Sequence, residues 1–234
     1  MDVSSDMLSL MSLAFGAAWA SGLNLYATVL ILGGLNAFGV VTLPPDMAVI
    51  STPEVLITAG VLYFLEFFAD KIPGIDTLND TLHTFIRIPA GAMLAYSTVS
   101  DTGEPWQAAA ALLLGGLVTA GTHATKTGTR AIINMSPEPF LNWAASIFED
   151  MLVLIGLLLA LFKPAIFLIW LAAFAVFLIW FLPKIWRGLK MLWARIQEMR
   201  GNGSAPGTGL ALTFTGPPDT PSSGTDIRKP IRKP

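Results

Sequence analysis

Met151-Leu152-Val153-Leu154-Ile155-Gly156-Leu157-Leu158-Leu159-Ala160-Leu161-Phe162-Lys163-Pro164-Ala165-Ile166-Phe167-Leu168-Ile169-Trp170-Leu171-Ala172-Ala173-Phe174-Ala175-Val176-Phe177-Leu178-Ile179-Trp180-Phe181-Leu182 carries one charge, Lys163. A soluble helix needs a polar face, and this stretch has none. Lys163-Pro164 is a turn signal, so the stretch reads as two apolar helices joined tightly. Elsewhere the chain repeats the pattern. Of its 234 residues, 53% are hydrophobic and 13% charged, against about 25% charged in a typical soluble domain. Mean hydropathy is +0.63. A net charge of −2 supplies no basic field for nucleic acid, which is excluded as a partner. The absence of cysteine removes disulfides and thiolate chemistry. The composition defines a polytopic membrane protein whose first partner is the lipid bilayer.

A hydrocarbon core about 30 Å thick takes about 20 helical residues. Six segments qualify: 7–41, 54–70, 84–99, 107–125, 142–162 and 165–182. Their separators are Pro44-Pro45, Pro73-Gly74, Asp101 to Pro105, Ser136 to Pro139 and Lys163-Pro164. The expected fold is an all-α six-span bundle. With both termini cytoplasmic, 13 of the 14 Lys and Arg residues lie inside, and only Lys163 lies outside. The positive-inside rule selects that orientation. Trp180, Trp186 and Trp193 mark the inner interface. Ala18-Trp19-Ala20 imitates a signal cleavage site, but residues 1–6 are acidic where a signal is basic, so the segment is expected to be retained.

The domain reading is a membrane domain, 1–183, an interfacial helix, 184–200, and a disordered tail, 201–234. Ile185, Leu189, Leu192 and Ile196 make the apolar stripe of the interfacial helix. The tail is rich in Gly, Ser, Thr and Pro and ends in a duplicated basic tetrapeptide, Ile227-Arg228-Lys229-Pro230 and Ile231-Arg232-Lys233-Pro234.

Length arithmetic draws polar groups into the membrane. In the second segment the uncharged run Val55–Leu65 is 11 residues. It spans only if Glu66 is included. In the fifth, Met151–Phe162 is 12 residues. It spans only from about Asn142, which brings in Ser146, Glu149 and Asp150. A carboxylate there must be paired, hydrated or protonated.

Two segments are expected to break. Residues 7–41 would make a helix of about 52 Å, with Ser21-Gly22-Leu23-Asn24 in its middle. The fourth carries Ala120-Gly121-Thr122-His123. Paired interruptions suggest two inverted three-helix repeats, 7–100 and 107–183. The competing reading is close packing through small residues, Ala14, Ala18 and Gly22.

Three polar stripes follow helical spacing. Asp76, Asp80, His83 and Arg87 form the first, with Asp76 as the expected N-cap. His123, Lys126 or Thr127, and Arg130 form the second. Asn142, Ser146 and Glu149 form the third. Packed in one bundle, they converge either as a structural ion-pair network or as a hydrated inner vestibule.

At Glu66-Phe67-Phe68-Ala69-Asp70-Lys71-Ile72-Pro73-Gly74, His83-Thr84-Phe85-Ile86-Arg87, Pro89-Ala90-Gly91-Ala92, Lys126-Thr127-Gly128-Thr129-Arg130 and Ser136-Pro137-Glu138-Pro139, with Asn142 and Glu149-Asp150, the chain resembles a family of bacterial membrane proteins described only as a domain of unknown function. The resemblance covers roughly residues 10–180. It implies a bacterial inner-membrane protein and brings no activity with it.

Three functions compete. The favoured one is a small transporter or channel for an ion or small solute, with proton coupling as one form of it. There Glu66 and Glu149 titrate or coordinate a cation, Asn24 and His123 contact the solute, and Lys126 and Arg130 meet an anionic moiety. Asp70, Asn142 and Asp150 complete the candidate site, with Asp76, Asp80, His83 and Arg87 as its inner vestibule. The second is a non-catalytic assembly subunit. The third is an enzyme on lipid-linked phosphate, with Asp70, Asp76 and Asp80 on Mg²⁺, although that spacing matches no metal motif. No cofactor is called for, and a homo-oligomer is left open.

Overall fold

The structure, a computed structural model, describes residues 6–70, 72, 75–101, 104–134 and 139–201. A few helical side chains, Asp76 and Asp80 among them, lie outside that description. So do the expected tail and all four side chains of the apolar stripe, Ile185, Leu189, Leu192 and Ile196. The chain divides after Lys190, and the helix packing described below belongs to the part up to that residue.

Among the described residues there are six α-helices: α1, Met7–Ala37; α2, Pro53–Ala69; α3, Ile75–Val99; α4, Pro105–Ile133; α5, Pro139–Phe162; and α6, Pro164–Gly201. A short 3-10 helix, Pro45–Ser51, precedes α2. Four helices begin on a proline, where the missing N–H and fixed φ cost nothing. α4 adds a reciprocal cap, in which Glu104 N–H donates to the Gln107 side chain at 3.0 Å. Asp6 caps α1 by accepting from Leu8 N–H at 3.3 Å. α3 begins at Ile75, two residues before the start that an Asp76 cap requires, so Asp76 lies inside its first turn rather than at the cap.

α1 is the central helix, in contact with α2, α3, α4 and α5. It can be central because its packing face is small. A Cβ added at Gly22 would lie 2.6 Å from the Thr119 carbonyl oxygen and 2.7 Å from the Thr122 Cβ. Ala14 and Ala18 pack on Ala95 of α3. Thr119 Oγ1 donates to the Ala18 carbonyl, and Ser12 Oγ to the Ala160 carbonyl, both at 2.8 Å. Small residues and cross-helix hydroxyls are how helices associate where apolar burial gives no advantage over lipid. Trp19 then seats α6 through edge contacts to Phe167, Trp170 and Phe174. The other side of α6 exposes Ile166, Ile169, Val176 and Ile179.

Among the described residues, four helices are long and apolar enough to cross a membrane: α1, α4, residues 140–162 of α5 and residues 164–181 of α6. The 3-10 helix and α2, bent by 60° at their junction, make a fifth candidate if taken as one crossing. α3 is apolar only in its second half. The fold is therefore an all-helical one with several membrane-length helices.

The two expected interruptions part company. α1 is broken at Asn24, whose backbone is extended at φ −150°, ψ 101°. α4 is helical throughout Pro105–Ile133, across Gly121 and His123. The interrupted fourth helix is thus a wrong expectation. Its threonines bond back within the helix: Thr122, Thr125 and Thr127 each donate to the carbonyl four residues earlier, at 2.9–3.0 Å, and the single Thr119 hydroxyl proton has the Gly115 carbonyl within reach at 2.8 Å as well as that of Ala18. Those hydroxyls decorate the helix without replacing its backbone bonds. With one break instead of two, the paired-interruption argument for an inverted repeat is lost.

Candidate functional site

The break in α1 follows from one side chain. Asn24 Oδ1 accepts from Ala27 N–H at 2.9 Å. That is an N-cap, and it starts the second half of α1 as a new helix. In an unbroken helix Ala27 N–H would bond to the Leu23 carbonyl. That carbonyl instead accepts from Lys126 Nζ of α4 at 3.1 Å. The Asn24 amide donates to Asp150 Oδ1 at 3.1 Å, and the Asn24 carbonyl accepts from Thr28 Oγ1 at 2.8 Å.

Around the freed carbonyl lies a buried layer of charge. Glu66 and Asp70 come from the end of α2, Arg87 from α3, Lys126 and Arg130 from α4 and Glu149 from α5. All six are buried. Arg87 pairs directly with Glu66. Lys126 Nζ reaches Asp70 at 3.1 Å, Glu66 at 3.3 Å and Glu149 at 3.4 Å. Arg130 holds Glu149 in a two-pronged grip, Nε to Oε1 at 3.1 Å and Nη2 to Oε2 at 2.8 Å. It also donates to the Asp70 carbonyl at 3.0 Å and to Ser146 Oγ at 2.9 Å. Among the described residues, three carboxylates therefore face three cations, and the formal charges of these six cancel. Each ion placed here loses several kcal/mol of hydration, so its partners must be close and numerous, as they are for Lys126 and Arg130.

His123 lies at the edge of the layer. Its Nδ1 is 3.4 Å from Arg87 Nη1. A guanidinium has no acceptor, so Nδ1 accepts. The ring proton then sits on Nε2, which donates to Thr84 Oγ1 at 2.7 Å. Asp150 is held differently from its neighbour Glu149. It accepts from Tyr63 Oη at 2.9 Å and from Asn24, both uncharged donors. Asn142 Nδ2 donates to Asn134 Oδ1 at 2.8 Å, and the Asn142 carbonyl accepts from Arg130 at 3.4 Å. His83 Nε2 lies 3.4 Å from Tyr26 Oη.

Two of the cavities among the described residues differ in their relation to the layer: only the second has layer residues in its wall. One of about 550 Å³ runs between α1, α2, α3 and the 3-10 helix and reaches Tyr26. The other, about 260 Å³, has Lys126 and Glu149 in its wall together with Trp19, Thr122 and Trp170. The expectation that Glu66 and Glu149 share a cavity with His123 or Asn24 does not hold for these two: only Glu149 lines one of them.

Of the sequence-derived candidates, the structure brings together Asn24, Glu66, Asp70, Arg87, His123, Lys126, Arg130, Asn142, Glu149 and Asp150. Asp76 and Asp80 lie outside the described side chains. Sequence reasoning missed Tyr63, Thr84 and the Leu23 carbonyl. Tyr63, Glu66 and Asp70 recur at i, i+3 and i+7, so the first had a signal. Among the described residues no three of His, Asp and Glu converge as metal ligands, and Asp70 is engaged by Lys126 and Arg130.

The assembly is that of a multi-pass helical protein, compatible with residence in a membrane, built on a charge-balanced buried layer. Residues 11–184 match the family described as domain of unknown function DUF4126, and the chain belongs to that family. This agrees with the resemblance drawn from the sequence motifs. No curated protein and no solved structure matches the chain.

Proposed function

We propose that the chain is a small transporter or channel of the bacterial inner membrane, for an ion or small solute, with six spans and both termini cytoplasmic. The observation that carries the reading is the buried layer of three acids and three bases among the described residues, with Lys126 and Glu149 in the wall of a cavity and Lys126 bonded at a break in the central helix. Ionisable groups at membrane depth are rare and tend to mark ion or solute pathways. Broken helices expose backbone carbonyls that can coordinate a cation. Here Lys126 occupies the freed Leu23 carbonyl. Its ammonium is the natural competitor of an incoming cation or proton, and the ion pairs are the contacts that opening would exchange. Proton coupling through Glu66 or Glu149 is part of the proposal.

A second reading, a non-catalytic assembly subunit, is favoured by one observation. The two-pronged Arg130–Glu149 pair is fully engaged and needs no ligand. Flux assays on the purified chain in liposomes separate the two readings. Under transport, cation or solute flux appears above that of empty liposomes and is lost in Glu149→Gln while the protein still inserts. Flux that stays intact in Glu149→Gln while the melting temperature falls would refute the transport role given to Glu149. Topology is tested on the cysteine-free background with single cysteines at Pro45 and Gly103. Both should react from the periplasmic side, and labelling only from the cytoplasm would defeat the six-span arrangement.

A further inference from the structure

The larger cavity is not used by the charge layer. Its volume of about 550 Å³ is that of a site for a drug-sized organic molecule. The wall is almost entirely hydrocarbon, from Leu25 and Val29 of α1, Ala59 and Leu62 of α2 and Met93 and Leu94 of α3. Its polar ends differ. Tyr26 is buried at one. At the other lie Asp46 and Glu54, both exposed. Among the described residues no Lys, Arg or His lines the cavity. Asp46 accepts from Ser100 Oγ at 2.6 Å, which orients the carboxylate and leaves its charge in place. Neither carboxylate is in an ion pair among the described residues.

We infer that this cavity binds an amphipathic organic cation. The apolar wall takes the hydrophobic body, and the Asp46–Glu54 mouth takes the positive charge. An apolar wall alone would accept any lipophile, but two uncompensated carboxylates at the opening favour a cation and disfavour an anion of the same shape. A cationic head left at the mouth stays hydrated, so no charge has to be buried. The inference deepens the transport reading by naming a substrate class, and rests on that reading only for the passage of the cation once it has bound.

The test uses the full chain in nanodiscs of zwitterionic lipid. Tetraphenylphosphonium and tetraphenylborate, matched in shape and opposite in charge, are measured by equilibrium dialysis against empty nanodiscs. Saturable binding of the phosphonium and none of the borate is expected. Asp46→Asn with Glu54→Gln should weaken phosphonium binding roughly five- to tenfold, the worth of two exposed charges. Asp46→Lys, at an exposed position, should weaken it further and should admit the borate. Ala59→Phe, which fills the cavity, should abolish it, with a melting curve on the same sample to show the chain folded. Equal binding of both ions, or phosphonium binding unchanged in Asp46→Lys, would overturn the inference in favour of a lipid-filled crevice. Flux is read separately. Phosphonium binding with no flux of any solute refutes the transport reading and leaves the site standing. Flux of another solute without phosphonium binding refutes the site alone.

Discussion

The middle of α1 and the corresponding stretch of α4 begin alike, with a small residue, a glycine and then a hydrogen-bonding side chain two positions on. They end as opposites. Ser21-Gly22-Leu23-Asn24 breaks its helix, whereas Ala120-Gly121-Thr122-His123 continues. The difference lies in where the polar side chain finds its partners. Asn24 turns on its own backbone and captures Ala27 N–H, as short amide side chains readily do. His123 reaches away from α4 to Thr84 and Arg87 and leaves the backbone bonds alone. Glycine followed by a polar residue is thus not a break signal by itself. The break needs a side chain that can cap and a neighbour that takes the carbonyl it releases, here Lys126.

The largest expected effect breaks the comparison at the charge layer, on the α4 side. Arg130→Met removes the two-pronged contact with Glu149 and the bonds to Ser146 and to the Asp70 carbonyl. It also leaves Glu149 with Lys126 as its basic partner. Breaking such a pair costs about 3–5 kcal/mol. Replacing both members, Arg130→Met with Glu149→Met, should recover much of that loss, because neither charge is then stranded. Thermal unfolding of the purified variants in one detergent measures both. A single mutant as stable as the parent would show that the layer is hydrated and its pairs are weak.

A smaller effect is expected at the break itself. Asn24→Ala removes the cap, which is worth about 0.5–2 kcal/mol, and deletes one of the two uncharged donors to Asp150. Ala27 N–H is then free to return to the Leu23 carbonyl, in competition with Lys126. Hydrogen exchange read at Ala27 should report it: an amide that gains the regular helical bond exchanges more slowly. If exchange there quickens and spreads toward Ala17, the break is maintained by packing rather than by Asn24.

Much of this arrangement is written in spacing. The stripe His123, Lys126 and Arg130 and the stripe Asn142, Ser146 and Glu149 recur at helical intervals, and they meet where expected. Span length alone draws Glu66 inward, and it is buried against Arg87. What spacing does not encode is the partner. Glu149 and Asp150 are adjacent acids in one helix turn, yet one faces Arg130 and Lys126 and the other faces Tyr63 and Asn24. The direction of a side chain around the helix decides that, and it depends on which helix packs on which side. The Leu23 carbonyl has no side-chain signal at all, since every residue carries the same acceptor. It becomes available only because Asn24 takes the N–H that would have used it. Composition suggests six crossings, but among the described residues four helices are long and apolar enough to cross a membrane, with α2 and its bent 3-10 lead a fifth candidate; the first half of α3 is polar. Both carry residues of the charge layer, Glu66 and Asp70 on one and Arg87 on the other.

The smallest expected effect sharpens the comparison with one methyl group on each side. Gly22 lies where an added Cβ would be 2.6 Å from the Thr119 carbonyl oxygen and 3.1 Å from the His123 backbone nitrogen. Both are backbone atoms of a packed helix and cannot yield singly, so Gly22→Ala must push α1 and α4 apart. Overpacking of that kind costs about 1–3 kcal/mol. Gly121 meets only the Leu178 Cδ1, at 3.0 Å, the end of a flexible side chain on α6. There the strain is small and is offset by the helix propensity of alanine over glycine, about 0.8–1.0 kcal/mol. Gly121→Ala should therefore change stability by less than about 1 kcal/mol, while Gly22→Ala lowers the melting temperature clearly under the same conditions. The sign of the difference is what matters. If Gly121→Ala were the more damaging of the two, the close approach of α1 to α4 would not be what the first glycine serves. The glycine of α4 would then be needed for flexibility in a helix that is continuous in this state.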